Sequence, residues 1–159
     1  MLYWHHDNFP MKKTPKIIPL NTDSYLSVIK NSVGTKMFCH LYASVNGKKI
    51  DIAKNGELSC AFYASSVLVI FGLIHEIHAT VDSTVRDLER SGWKKAKEPK
   101  PGSVIVWEKG VGSGKHKHIG FCIGKNSAVS NNFKKGYPIV HDLKKKNIEQ
   151  LYWNPKIGQ

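Results

Sequence analysis

Cysteine is scarce: Cys39, Cys60 and Cys122 are an odd number and lie far from any CxxC spacing, so a disulfide framework is not expected. Acidic residues are also few, 12 against 24 Lys and Arg, which leaves a formal net charge of +12. That balance suits an acidic partner such as nucleic acid, an anionic membrane surface or an anionic polymer like bacterial cell wall; the alternative is a solvated lysine-rich surface. No apolar run is long enough to span a bilayer comfortably. The longest follows Cys60, is broken by Tyr63, Ser65 and Ser66, and soon reaches His75. The start, Met1 to Pro10, lacks the charged and apolar regions of a signal peptide. A soluble protein is expected, cytoplasmic or exported by a non-classical route. No internal repeat is present, and the only low-complexity tract is Lys144-Lys145-Lys146. No RRM, KH or zinc-finger pattern appears, and the lysines are scattered rather than striped. The run Gly110 to Lys115 looks like a phosphate loop but fails the template, which needs glycine at Lys109 and Ser or Thr at His116.

What is present fits one domain. At 159 residues the chain can bury roughly 70% of the surface its unfolded form exposes. Residues 1–20 hold Pro10, Pro15 and Pro19 with Lys12, Lys13 and Lys16, and read as an extended basic arm before a domain over 21–159. Thr22 or Asp23 can cap a short helix that ends near Gly34. The stretch 36–45 is strand or helix extension and runs into the Asn46-Gly47 turn. A buried helix is expected from Cys60 to Phe71, with Ser59 as its N-cap. A second helix starts at Thr80 or Asp82 and stops at Gly92, and residues 94–100 form a basic connector. Strands follow over 103–107 and 118–124, with further short ones near 127–131, 137–141 and 148–153. Helices first and strands after predict an α+β fold with an antiparallel sheet.

Two residues in this plan can carry chemistry. Cys60 falls in the first turn of its helix, where unpaired N–H groups and the helix dipole favour a thiolate. Taken alone, a free cysteine is as readily a small buried hydrophobe. His118 opens a strand in which His118, Gly120 and Cys122 face one way and Ile119, Phe121 and Ile123 the other. The missing side chain at Gly120 leaves room for a neighbour such as the start of the Cys60 helix. A histidine so placed can act as base to a cysteine, or can simply end a strand at the surface. The pairs His75 and His78, and His116 and His118, have spacings compatible with metal, but neither has a clear third ligand. A zinc site using Cys39 and His40 is a lesser alternative, and no metal or cofactor is predicted.

The order Ser59-Cys60-Ala61 opening a buried helix, then Pro101-Gly102-Ser103-Val104-Ile105-Val106-Trp107, then His118-Ile119-Gly120-Phe121-Cys122, resembles the NlpC/P60 superfamily and the related CHAP domains. The likeness covers roughly residues 50–132. It implies a papain-like fold, with N-terminal helices and the nucleophile helix packed on an antiparallel β-sheet. By that resemblance Cys60 is the nucleophile of a cysteine peptidase or amidase and His118 its general base. A third polar residue on the next strand orients the imidazole: Asn131 is the first candidate, through its amide oxygen, and His141 the reserve. Asn131 and Asn132 otherwise read as a turn. Tyr42 and Ser59 are the auxiliary candidates, Tyr42 as a second oxyanion donor although its spacing from Cys60 is long. Ser59 and Ala61 depart from the family's Asp-Cys-Ser pattern. The implied reaction is cleavage of an amide bond in a peptide, a peptidoglycan stem or cross-bridge peptide, through an acyl-enzyme. A non-catalytic basic module on a degenerate papain-like fold, gripping cell wall or nucleic acid, is the alternative, and an acyltransferase a third reading.

Overall fold

Glycine and asparagine turns divide the chain close to where the sequence places them. A computed structural model describes residues 15–110, 116–143 and 147–158. Most of the expected arm, the loop at 111–115 and the tract at 144–146 therefore lie outside the described residues, and residues 15–20 are exposed without regular structure. The first helix, α1, is Asn21–Asn31. Thr22 and Asp23 lie inside it rather than capping it, because the Thr22 hydroxyl donates to the Ile157 carbonyl at the far end of the chain. Strands β1 (Tyr42–Val45) and β2 (Lys48–Asp51) form a hairpin around Asn46 and Gly47, both at positive φ, as a two-residue primed turn requires.

The helix α2 spans Cys60–Ile70 and is buried on nearly every side. Its sequence has no polar face, so it can only be a core helix. In contrast, α3 (Val81–Arg90) is amphipathic, burying Val81, Thr84, Asp87 and Leu88. Thr80 caps it by accepting the Ser83 N–H at 3.2 Å, and Gly92, at φ +88°, follows its end.

Six strands then build one antiparallel sheet: β3 (Lys94–Ala96), β4 (Val104–Trp107), β5 (His118–Gly124), β6 (Ser127–Asn132), β7 (Tyr137–Asp142) and β8 (Ile148–Trp153), in the spatial order β3-β8-β4-β5-β6-β7. The expected basic connector thus contributes a short edge strand. A closing 3-10 turn runs Pro155–Gly158. The result is an α+β fold of three helices in which α2 packs on the six-stranded sheet.

Both faces of the sheet are covered. One, with Val104, Val106, Ile119, Phe121 and Val129, shares the main core with Tyr25, Tyr63, Val67 and Leu68 from the helices. Phe121 lies edge-on to both Tyr25 and Tyr63, with centroids 5.8 and 5.6 Å away. The other face carries a smaller cluster of Ile105, Trp107, Cys122, Ala128, Leu143 and Leu151. The period-2 alternation expected for β5 is therefore present. Among the described residues, no helix is long and apolar enough to cross a membrane.

Candidate active site

The start of α2 is fixed by the loop before it. Gly56 adopts φ +88°, and a β-carbon there would sit 2.2 Å from the Gly136 carbonyl oxygen. Only glycine allows this loop to press on the turn between β6 and β7. Asn131 reaches across from β6, its Nδ2 donating to the Gly56 carbonyl at 2.6 Å. The Asp51 carboxylate gathers the N–H groups of Leu41, Ala53 and Asn55. These bonds hold its pKa well below the usual carboxylate range, the Asn55 N–H foremost and the His40 ring next.

Ser59 occupies the N-cap position but does not cap. Its buried hydroxyl donates to the Phe38 carbonyl at 2.5 Å, while its own carbonyl accepts the Tyr63 N–H. The first turn of α2 thus has no side-chain cap bond from Ser59, and the half-buried Cys60 is its first residue. The other thiols are buried and engaged: Cys39 donates to the Gly136 carbonyl at 3.0 Å and Cys122 to the Gly124 carbonyl at 3.1 Å. Burial raises the Cys122 pKa.

His118 begins β5 and is buried beside Trp107, with ring centroids 5.5 Å apart. Its Nε2 stands 2.8 Å from the Ser130 Oγ. On the far side of the same hydroxyl, His141 Nε2 stands at 2.7 Å, and the His141 ring also lies against Trp107, at 5.2 Å. Strand register explains the cluster. Trp107 pairs with His118, Gly120 with Ser130, and Ser130 with Ile139, so Ser130 and His118 are diagonal neighbours on one face. Gly120 does admit a close neighbour, but that neighbour is β6 and not the Cys60 helix: a β-carbon there would fall 2.6 Å from that of Ser130.

The bond expected from the His118 ring to the Asn131 amide is not made. Asn131 is adjacent to Ser130 and so faces the other way; its nitrogen serves Gly56, and its buried oxygen has no hydrogen-bond partner. His141 reaches His118 through Ser130. The residue that sequence reasoning passed over is thus Ser130. The signal for it was the position opposite Gly120, whose missing side chain lets the Ser130 side chain come close.

Cys60 and His118 line one cavity of about 340 Å³, together with Leu58, Asn131 and Phe133. Its walls also carry Glu57 and Asp82, and Lys109, His116 and Lys117. Lys117 reaches Glu149 at 2.5 Å, and this bond raises its pKa. Tyr42 is not part of this lining: its exposed ring stacks on His40 and under the Lys49 ammonium. The other histidine pairs are also accounted for. His75 and His78 both bond the buried Asp87 carboxylate at 2.8 Å, and His40 bonds Asp51. Among the described residues, no group of three His, Cys, Asp or Glu could hold a metal ion. Comparison of the chain with protein-family models gives no match, and comparison with curated proteins gives none either.

Proposed function

We propose that this protein is a papain-like cysteine hydrolase of the NlpC/P60 type that cleaves an amide bond in a peptide, with a peptidoglycan stem or cross-bridge peptide as its substrate class. The observation that carries this reading is the meeting of Cys60, first residue of a helix with no side-chain cap, and His118, first residue of a central strand, in one cavity. His118 as imidazolium stabilises the Cys60 thiolate. The sulfur attacks the amide carbonyl, and the Cys60 backbone N–H at the start of α2 binds the oxyanion. His118 gives its proton to the leaving amine as the C–N bond breaks, leaving a thioester. Water then attacks, His118 takes its proton, and the thiolate departs as the acid is released. Tyr42 has no part in this scheme. The wall charges, Glu57 and Asp82 beside Lys109 and Lys117, suit a peptide with both carboxylates and amines. The net charge of +12 suits an anionic wall.

The test is iodoacetamide alkylation followed by site-specific mass spectrometry over a range of pH, on the protein and on His118→Ala. Cys60 should react fast well below pH ~8.5, the ordinary thiol value, and lose that advantage in the variant. Cys39 and Cys122 should lag far behind. Cleavage of peptidoglycan fragments should then vanish in Cys60→Ala while the fold is kept. A Cys60 that is inert in both proteins would sink the hydrolase reading and favour a non-catalytic module using the basic surface.

A further inference from the structure

The hydroxyl of Ser130 lies within hydrogen-bond distance of two imidazole nitrogens, His118 Nε2 at 2.8 Å and His141 Nε2 at 2.7 Å. It is 1% exposed. A hydroxyl has one hydrogen to give, so between two neutral rings it donates to one and accepts from the other. The direction is set at the far end of the chain of bonds. His141 Nδ1 faces the carbonyl oxygen of Asp142 at 3.4 Å, and a carbonyl can only accept. A His141 hydrogen on Nδ1 suits that contact, and its Nε2 is then an acceptor. Ser130 then donates to His141 and accepts from His118, whose hydrogen must sit on Nε2. A neutral His118 of this form has its basic lone pair on Nδ1. Since Nε2 is engaged by Ser130, Nδ1 is also the nitrogen through which the ring would serve Cys60.

We propose that Ser130 and His141 are positioning residues that hold His118 in the tautomer able to act as base through Nδ1, by a relay of hydrogen bonds from the Asp142 carbonyl through His141 and Ser130. The role for catalysis rests on the hydrolase reading above; the tautomer assignment does not. The relay replaces the expected contact with Asn131 by a two-step path. Trp107 lies against both imidazoles, and His141 is otherwise flanked along β7 by the carboxyl-bearing Asp142. His141→Gln would supply a side-chain carbonyl acceptor in place of the imidazole nitrogen.

The two claims have separate readouts. Long-range proton–nitrogen NMR correlations on Cys60→Ala, in which no thiolate holds the ring charged, report the tautomers at neutral pH. The expected result is His118 protonated on Nε2 and His141 on Nδ1, and the opposite pair of tautomers overturns the relay whatever Cys60 does. In protein that keeps Cys60, alkylation at neutral pH should fall by roughly ten- to a hundredfold in Ser130→Ala. Ser130→Thr, which keeps a hydroxyl, should restore most of it. His141→Ala should fall with Ser130→Ala, and His141→Gln, which keeps a side-chain acceptor, should recover part of that loss. A Ser130→Ala protein that is folded by circular dichroism and alkylates at the parent rate excludes the positioning role. Circular dichroism on each variant separates a lost relay from a lost fold.

Discussion

Asn131 has one amide atom committed and one without a partner: its nitrogen donates to Gly56, and its oxygen is buried with no hydrogen bond. The two atoms therefore predict different costs. Asn131→Ala removes the bond to Gly56 but also removes the unsatisfied acceptor, so the loss should be small, about 1 kcal/mol by urea unfolding. Asn131→Asp puts a carboxylate oxygen against the Gly56 carbonyl and should cost about 2–3 kcal/mol. If the two variants are equally stable, the bond to Gly56 does not anchor the loop. At this scale the sequence reveals residue types better than partners. Cys60 and His118 were legible because each opens an element with a recognisable pattern. Ser59 and Thr22 were not, since their hydroxyls serve Phe38 and Ile157, residues that no local window contains.

Among the elements, α2, α3, β4 and β5 follow directly from apolar patterning and turn residues, and they are found close to their expected bounds. The edge strand β3 was hidden in a lysine-rich segment because its pairing with β8 spans more than fifty residues. The loop before α2 makes the sharpest demand on sequence. Gly56→Ala would have to adopt φ +88° and would drive a β-carbon into the Gly136 carbonyl. It should cost about 2–4 kcal/mol, and Cys60 alkylation should slow before global unfolding begins. An alanine variant as stable and as reactive as the parent would show that the loop does not position the start of α2. The segment between α2 and α3 depends instead on Asp87. Burial pushes its pKa up, but hydrogen bonds from the His78 and His75 rings and from the Glu76 and His75 N–H groups outweigh this and hold it well below 3.8.

For the whole molecule, that depressed carboxylate sets an acid limit. A group whose folded pKa lies below its unfolded value contributes stability that is present above the unfolded value and lost as pH falls toward the folded one. Thermal midpoints should therefore hold steady above pH ~5 and drop through the region below 4, with Asp87→Asn less stable than the parent at neutral pH and its acid slope shallower. An unchanged slope in that variant would assign the acid limit to other carboxylates. The excess of 24 basic over 12 acidic side chains predicts a second bulk property. Pelleting of the protein with an anionic wall preparation should weaken between 50 mM and 200 mM salt by about tenfold or more, and Cys60→Ala should pellet equally well. Retention that ignores salt would mean that the positive charge is only a solvated surface.

The sheet order also bears on how the chain is made. β8 lies between β3 and β4, so strands that are adjacent along the chain are joined only through residues 148–153. On a ribosome the catalytic candidates at 60 and 118 are synthesised well before that strand emerges. Until it does, β4 has a partner only in β5, and β3 has none within this sheet. Closure of the sheet should thus wait for that strand, with an open, strand-pairing edge exposed meanwhile. Nascent chains arrested before residue 148 should remain protease-sensitive across β3 and β4 and bind chaperones, and release of the following segment should close the sheet in one cooperative step.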